Sequence, residues 1–214
     1  MANVRPPRSK APTNDDRPAQ QFAGRCLVAR TASGFFLPTG PDPVETLIKQ
    51  GRSRTQELLP IRYGRMRANP FAFLRGAAAV MAADLAHRPS TNIRMQSCGD
   101  AHLNNFGTYA TPDGVPVFDI NDFDETLPAP FEWDLKRLAT SIVVAARVAQ
   151  YSGKAARGLV LYAARSYREH MEALASLSPV DAWNRHVDLA RAIATSMHPR
   201  CRSRADRLGW SKIG

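Results

Sequence analysis

An α+β, mostly helical fold is predicted by three features of the sequence. Two short apolar runs, Phe106–Tyr109 and Val115–Ile120, flank Thr111-Pro112-Asp113-Gly114, a turn signal that joins strands into a hairpin. From Glu132 onward apolar residues recur at helical spacing. A third, alanine-rich helical stripe opens after Asn69-Pro70. With 214 residues, the chain suits one domain of roughly 100–200 residues with an irregular leader.

Residues 1–43 form that leader, interrupted by prolines from Pro6 to Pro43 and lacking apolar periodicity. Asp42-Pro43 starts a short helix carrying Val44, Leu47 and Ile48, with Asp42 as its N-cap. Asn69 caps the next, in which Phe71, Leu74, Ala78, Met81 and Leu85 make one continuous stripe ended by Arg88-Pro89-Ser90. Ile93–Ser97 alternates as a strand, and the hairpin follows. A hairpin brings its ends together, so Asp100, Asn105 and Asp119 are expected to lie near one another. After Leu127-Pro128-Ala129-Pro130, read as a boundary, a helix spans Glu132 to Gln150. Ser152 caps a longer one reaching about Leu177, with Leu159, Tyr162, Tyr167, Met171 and Leu174 available for packing, and Ser178-Pro179 opens another. Trp133 is expected as a core anchor. The domain is placed at 44–194, followed by an atypical basic tail at 195–214.

Charge is uneven along the chain. Residues 1–100 hold 15 basic and 7 acidic side chains (+8), residues 101–150 hold 3 and 7 (−4), and residues 151–214 hold 11 and 5 (+6). An acidic island in a basic protein suits a metal–phosphate complex, and equally describes a solvated acidic loop. No apolar run approaches the ~18 residues of a membrane span, and no signal sequence is visible. Cys26, Cys98 and Cys201 are odd in number and widely spaced, against a disulfide scaffold or a cysteine zinc site. A cytoplasmic setting without membrane contact is the expectation.

The informative segment is Gly99-Asp100-Ala101-His102-Leu103-Asn104-Asn105, with Asp119 fourteen residues beyond Asn105. Carboxylate and amide oxygens are hard ligands suited to Mg²⁺, which usually takes only one or two carboxylates and completes its shell with water and phosphate oxygens. A further carboxylate beside them can accept the proton of an attacking hydroxyl. Arg65, Arg67 and Arg75 can hold phosphate, or form a solvated basic face.

These residues lie in longer stretches that resemble the DUF2252 family of bacterial proteins: Pro60–Met66, Asn69–Ala78, Cys98–Gly107, Val117–Pro128 and Trp133–Leu138. The resemblance runs from about residue 41 to about residue 190. It implies a kinship with protein-kinase-like aminoglycoside and choline phosphotransferases, hence part of a kinase-like C-lobe with the hairpin beneath its active site. It further implies phosphoryl transfer from ATP, with Mg²⁺, to an unidentified acceptor. By that resemblance Asp100 is the catalytic base, His102 shapes the catalytic loop, and Asn105 and Asp119 hold the metal; Arg65 and Arg75, on their chemistry alone, are the candidates to face the nucleotide phosphates.

The departures are specific. Asp119-Ile-Asn-Asp-Phe-Asp124 offers several carboxylates, so Asp122 competes with Asp119 for the metal. No glycine-rich nucleotide loop or strand lysine precedes Asp100, and the basic ending is unlike the family, so the chain is expected to be truncated and, alone, inactive. The rival readings are a metal-dependent phosphoesterase, for which the other histidines lack ligand spacing, and a basic nucleic-acid binder, for which no Lys/Arg stripe or aromatic platform is present.

Overall fold

The computed structural model describes residues 40–185. The leader up to residue 39, the last residues of the 44–194 domain and the basic tail therefore lie outside the described residues. Within them the protein is α+β and mostly helical, with two small antiparallel sheets.

Helix α1, Pro43–Gly51, forms as its local chemistry dictates: Pro43 presets the first turn, and the Asp42 carboxylate accepts the Val44 N–H at 2.9 Å. A 3₁₀ turn, Gln56–Leu58, leads into α2, Leu59–Met66. Asn69 caps α3, Pro70–Gly76, by accepting the Ala72 N–H at 2.8 Å.

The single helix predicted from Pro70 to Leu85 is instead two, because α4, Ala78–Ala86, starts afresh after a break at Ala77 (φ −115°, ψ 36°). Two guanidinium groups hold the break. Arg62 Nη2 donates to the Gly76 carbonyl at 2.6 Å, and Arg137 Nη2 donates to the Leu74 carbonyl at 2.7 Å. The buried Met66 side chain lies against Gly76, where a Cβ would come within 2.5 Å of its Cγ. Carbonyls bonded to side chains at their flank are turned from the helix axis, and the helix gives way there.

Strand β1, Arg94–Ser97, pairs with a strand that the sequence reading left as a boundary. The hairpin is as expected: β2, Phe106–Ala110, and β3, Pro116–Ile120, pair in a register that sets Phe106 opposite Ile120 and Gly107 opposite Asp119. The unexpected strand is β4, Leu127–Pro130, antiparallel to β1 with Ala129 opposite Met95. Its prolines disguise it. The Phe131 N–H donates to the Ile93 carbonyl at 3.0 Å, so odd-numbered residues here direct their N–H at β1. Pro128 and Pro130 fall on the other parity, where the missing N–H would face away from the partner.

Two long helices complete the described fold: α5, Glu132–Val148, and α6, Gly153–Ala175. Gln150 turns the chain between them in the left-handed region (φ 62°), while Tyr151 and Gln150 donate N–H groups back to Ala146 and Arg147. Ser152 then caps α6. The two helices meet through Ala146 and Ala156, both buried, and Phe131 stacks on Tyr167 with centroids 6.4 Å apart. The expected packing stripe of α6 is only partly used, since Leu159, Tyr162 and Met171 stay exposed. Trp133 is half-buried rather than a central anchor. A short α7, Pro179–Trp183, starts at the Ser178 cap. Among the described residues, no helix is long and apolar enough to cross a membrane.

Small side chains dominate the interior, with Ala77, Ala78, Cys98, Ala101 and Ala129 buried, and polar groups join them: His102, Asn105, Arg137 and Ser141. That polar interior lies beneath the site.

Candidate functional site

The loop Gly99–Asn105 is built by the start of α5. Asp134, in its first turn, accepts the Cys98 N–H at 2.8 Å and the Gly99 N–H at 3.0 Å, pinning the chain as it leaves β1. Gly99 has φ 80°, and a Cβ there would collide with the Glu125 carbonyl oxygen, so glycine is required by both backbone and space. One turn further along α5, Arg137 is almost wholly buried and reaches Asp100. Its Nε donates to Asp100 Oδ1 at 2.6 Å and its Nη2 bonds the same oxygen. Because Nη2 also holds the Leu74 carbonyl, this one side chain ties the Asp100 loop to α3.

The second carboxylate oxygen of Asp100, Oδ2, stands 3.5 Å from His102 Nε2. The His102 ring meets Phe71 edge-on at 6.3 Å, and its Nδ1 is buried without a hydrogen-bond partner. Burial lowers the His102 pKa, the charges of Arg137 and Arg75 push the same way, and Asp100 opposes them.

Asn105 closes a 3₁₀ turn, Leu103–Asn105, which Ser141 supports by accepting the Leu103 N–H at 3.2 Å. The Asn105 amide nitrogen donates to the carbonyls of Asp100 and Asp122, each at 3.0 Å. Its donor end is therefore spent on the loop. The Asn105 carbonyl accepts the Asn121 N–H at 2.9 Å, so the hairpin register carries directly into the segment bearing Asp122. The Asp122 carboxylate accepts the Asp124 N–H, shaping an Asx turn.

Asp100, His102, Asn105 and Asp122 line an open cavity of about 720 Å³ together with Arg62 and Arg65 from α2 and Arg75 from α3. Arg54 joins them at the rim, paired with Glu125 at 3.0 Å. Arg62 is the anchored cation, bonded to Gly76 and to Gln50 Oε1; burial, then the nearby Arg54 charge, lowers its pKa. Arg65 and Arg75 are exposed and form no hydrogen bond or ion pair among the described residues.

The structure thus brings together Asp100, His102, Asn105, Asp122, Arg65 and Arg75. Asp119 is exposed on β3 opposite Gly107, accepts the Ile120 N–H at 2.7 Å, and is not among the residues lining the cavity. The sequence reading missed the positioning roles of Asp134 and Arg137, although both fall in the stretch Trp133–Leu138 and their i, i+3 spacing puts them on one helix face. It also missed Arg62.

Among the described residues no group of three or more His, Cys, Asp or Glu side chains is gathered as for a protein-only metal site. An amide oxygen and a carboxylate beside a basic wall suit a cation that brings phosphate and water to complete its shell.

Comparison with curated proteins and with solved structures finds no match. A protein family does match, over residues 54–208, a span that takes in the charged residues lining the cavity, the Asp134–Arg137 support and the hairpin. The chain belongs to that family, DUF2252, described as uncharacterized protein conserved in bacteria.

Proposed function

We propose that the cavity is the phosphate-handling part of a kinase-like phosphotransferase site, in which a phosphoryl group passes from ATP to an acceptor. The observation that carries this reading is the convergence of Asp100, Asn105 and Asp122 on a cavity that Arg65 and Arg75 also line. Asp100 Oδ2 is the group placed to take the acceptor's proton; Arg137 fixes Oδ1 and thereby the direction of the carboxylate. Asn105 and Asp122 would hold Mg²⁺, with Asp119 as the neighbouring alternative, and Arg65 and Arg75 would face the nucleotide phosphates. When bound, the metal neutralises phosphate charge. His102, buried and held neutral, keeps the loop's shape without adding a charge.

Among the described residues no lysine lines the cavity, and the basic side chains that do are those of Arg54, Arg62, Arg65 and Arg75, with His102. Positioning of the triphosphate supplies much of the catalysis in such sites, and we therefore expect weak ATP binding and little turnover from this chain by itself. Calorimetric titration of the full chain with ATP, with and without Mg²⁺, tests the reading. Weak Mg²⁺-dependent binding that is lost in Asn105→Ala and Asp122→Ala supports it. Binding indifferent to Mg²⁺ and to both substitutions would overturn it, while tight binding would show a complete nucleotide site.

A further inference from the structure

The phosphotransfer reading uses Arg65 and Arg75 of the cavity lining, but not Arg62 beside them. Arg62 and Arg65 lie three residues apart on α2 and share a helix face. Arg75 comes from α3, on a backbone clamped on both sides: Arg137 holds the carbonyl of Leu74, just before it, and Arg62 holds that of Gly76, just after it. The three guanidinium groups are thus carried on elements braced against one another. Of the carboxylates lining the cavity, Asp100 is matched by buried Arg137, while that of Asp122 accepts the Asp124 N–H and pairs with no cation among the described residues. Arg65 and Arg75 have no protein partner among the described residues.

We propose that Arg62, Arg65 and Arg75 form a receptor for the phosphate groups of a small phosphorylated molecule, binding it without any divalent ion. Guanidinium forks recognise phosphate oxygens bidentately, and fixed arginines supply the neutralising charge that a metal would otherwise bring. The cavity volume of about 720 Å³ matches a small-molecule ligand. A nucleic acid would call for an extended basic track rather than a concave wall. The inference shares the cavity with the phosphotransfer reading but does not depend on it, because it involves neither ATP nor Mg²⁺.

The test is calorimetric titration of the full chain with inorganic pyrophosphate in excess EDTA. Saturable one-to-one binding is expected, weakened roughly tenfold or more by Arg65→Gln or Arg75→Gln, the scale of one charged hydrogen-bonding group. Both side chains are exposed and unpaired among the described residues, so the variants retain the fold, which circular dichroism verifies. Arg157→Gln, an exposed site on α6 outside the cavity, is expected to bind as the wild type does. Absence of saturable binding in EDTA would overturn the inference. So would equal weakening by Arg157→Gln, or displacement of pyrophosphate by a single-stranded oligonucleotide at lower concentration than by pyrophosphate itself. Failure of ATP and Mg²⁺ to bind, with pyrophosphate binding intact, would remove the phosphotransfer reading and leave this one standing.

Discussion

Replacing Arg137 with methionine removes a buried cation while keeping most of its volume. Arg137 is 2% exposed, and the change strips Asp100 Oδ1 of both guanidinium contacts and the Leu74 carbonyl of its side-chain donor. Orphaning one member of a buried ion pair costs about 3–5 kcal/mol. The Asp100 side chain keeps 19% exposure on the cavity side, so water relieves part of that and the lower end applies. The Leu74 carbonyl keeps the Ala77 N–H at 3.1 Å, so its lost second bond adds at most about 1 kcal/mol. The expected loss is therefore about 3–4 kcal/mol, a large share of the ~5–15 kcal/mol available to a domain. Urea denaturation of the full chain followed by circular dichroism measures it. The reasoning makes a second demand: Asp100→Asn in the Arg137→Met background removes the stranded charge, so the double variant is less destabilised than the two single effects added together. A loss below about 1 kcal/mol for Arg137→Met, or simple additivity in the cycle, would refute the assignment of Arg137 as a charge-matching brace.

Three other outcomes follow from the same geometry. Gly99→Ala puts a Cβ on the Glu125 carbonyl at a left-handed position, so a loss of at least about 2 kcal/mol in the same denaturation assay is expected, and near-neutrality would contradict the packing. Asp134→Ala frees the N–H groups of Cys98 and Gly99 and is expected to cost about 2–3 kcal/mol, whereas Asp134→Asn, keeping one acceptor, costs less. His102 has its pKa lowered by burial and by Arg137 and Arg75, so it stays neutral in the folded state while the unfolded chain protonates below about pH 6.5. Its contribution is thus complete above that pH and is lost as pH falls toward the lowered folded value, with a slope of at most about 1.4 kcal/mol per pH unit. Stability curves from pH 7.5 to 5 should be flatter for His102→Gln than for wild type, and parallel curves would remove the effect.

Local signals were readable from the sequence wherever a residue acts on its immediate neighbours. Asp42, Asn69, Ser152 and Ser178 each cap the helix that their spacing predicts, and Thr111–Gly114 turns the hairpin. What escaped depends on partners distant in sequence. The break at Ala77 is imposed by Arg62 and Arg137, which no helical periodicity within 70–85 reveals. The strand β4 is hidden because two prolines read as a boundary, and only its pairing with β1 shows that both sit at the harmless parity. That Asp122 lines the cavity and Asp119 does not depends on the segment beyond the hairpin, where Asn105 bonds the Asp122 carbonyl. Arg137 looks like any cation on an amphipathic helix until its burial is seen.

The two sheets do not pair with one another, and this gives the two halves of the site unequal resistance to opening. An isolated two-stranded ribbon is marginally stable, and β2–β3 rests chiefly on buried Val117, the Phe106–Phe118 stack and the Asn105 hydrogen bonds. Asp100, by contrast, is fastened to α5 through Arg137, and its preceding turn through Asp134. Amide protons of β2 and β3 belong to a low-energy opening unit, whereas those of α5 around Arg137 exchange only when a larger unit unfolds. A ligand spanning Asp122 and Asp100 would stitch these units together, and its arrival would register as slowed exchange in the hairpin with little change in α5.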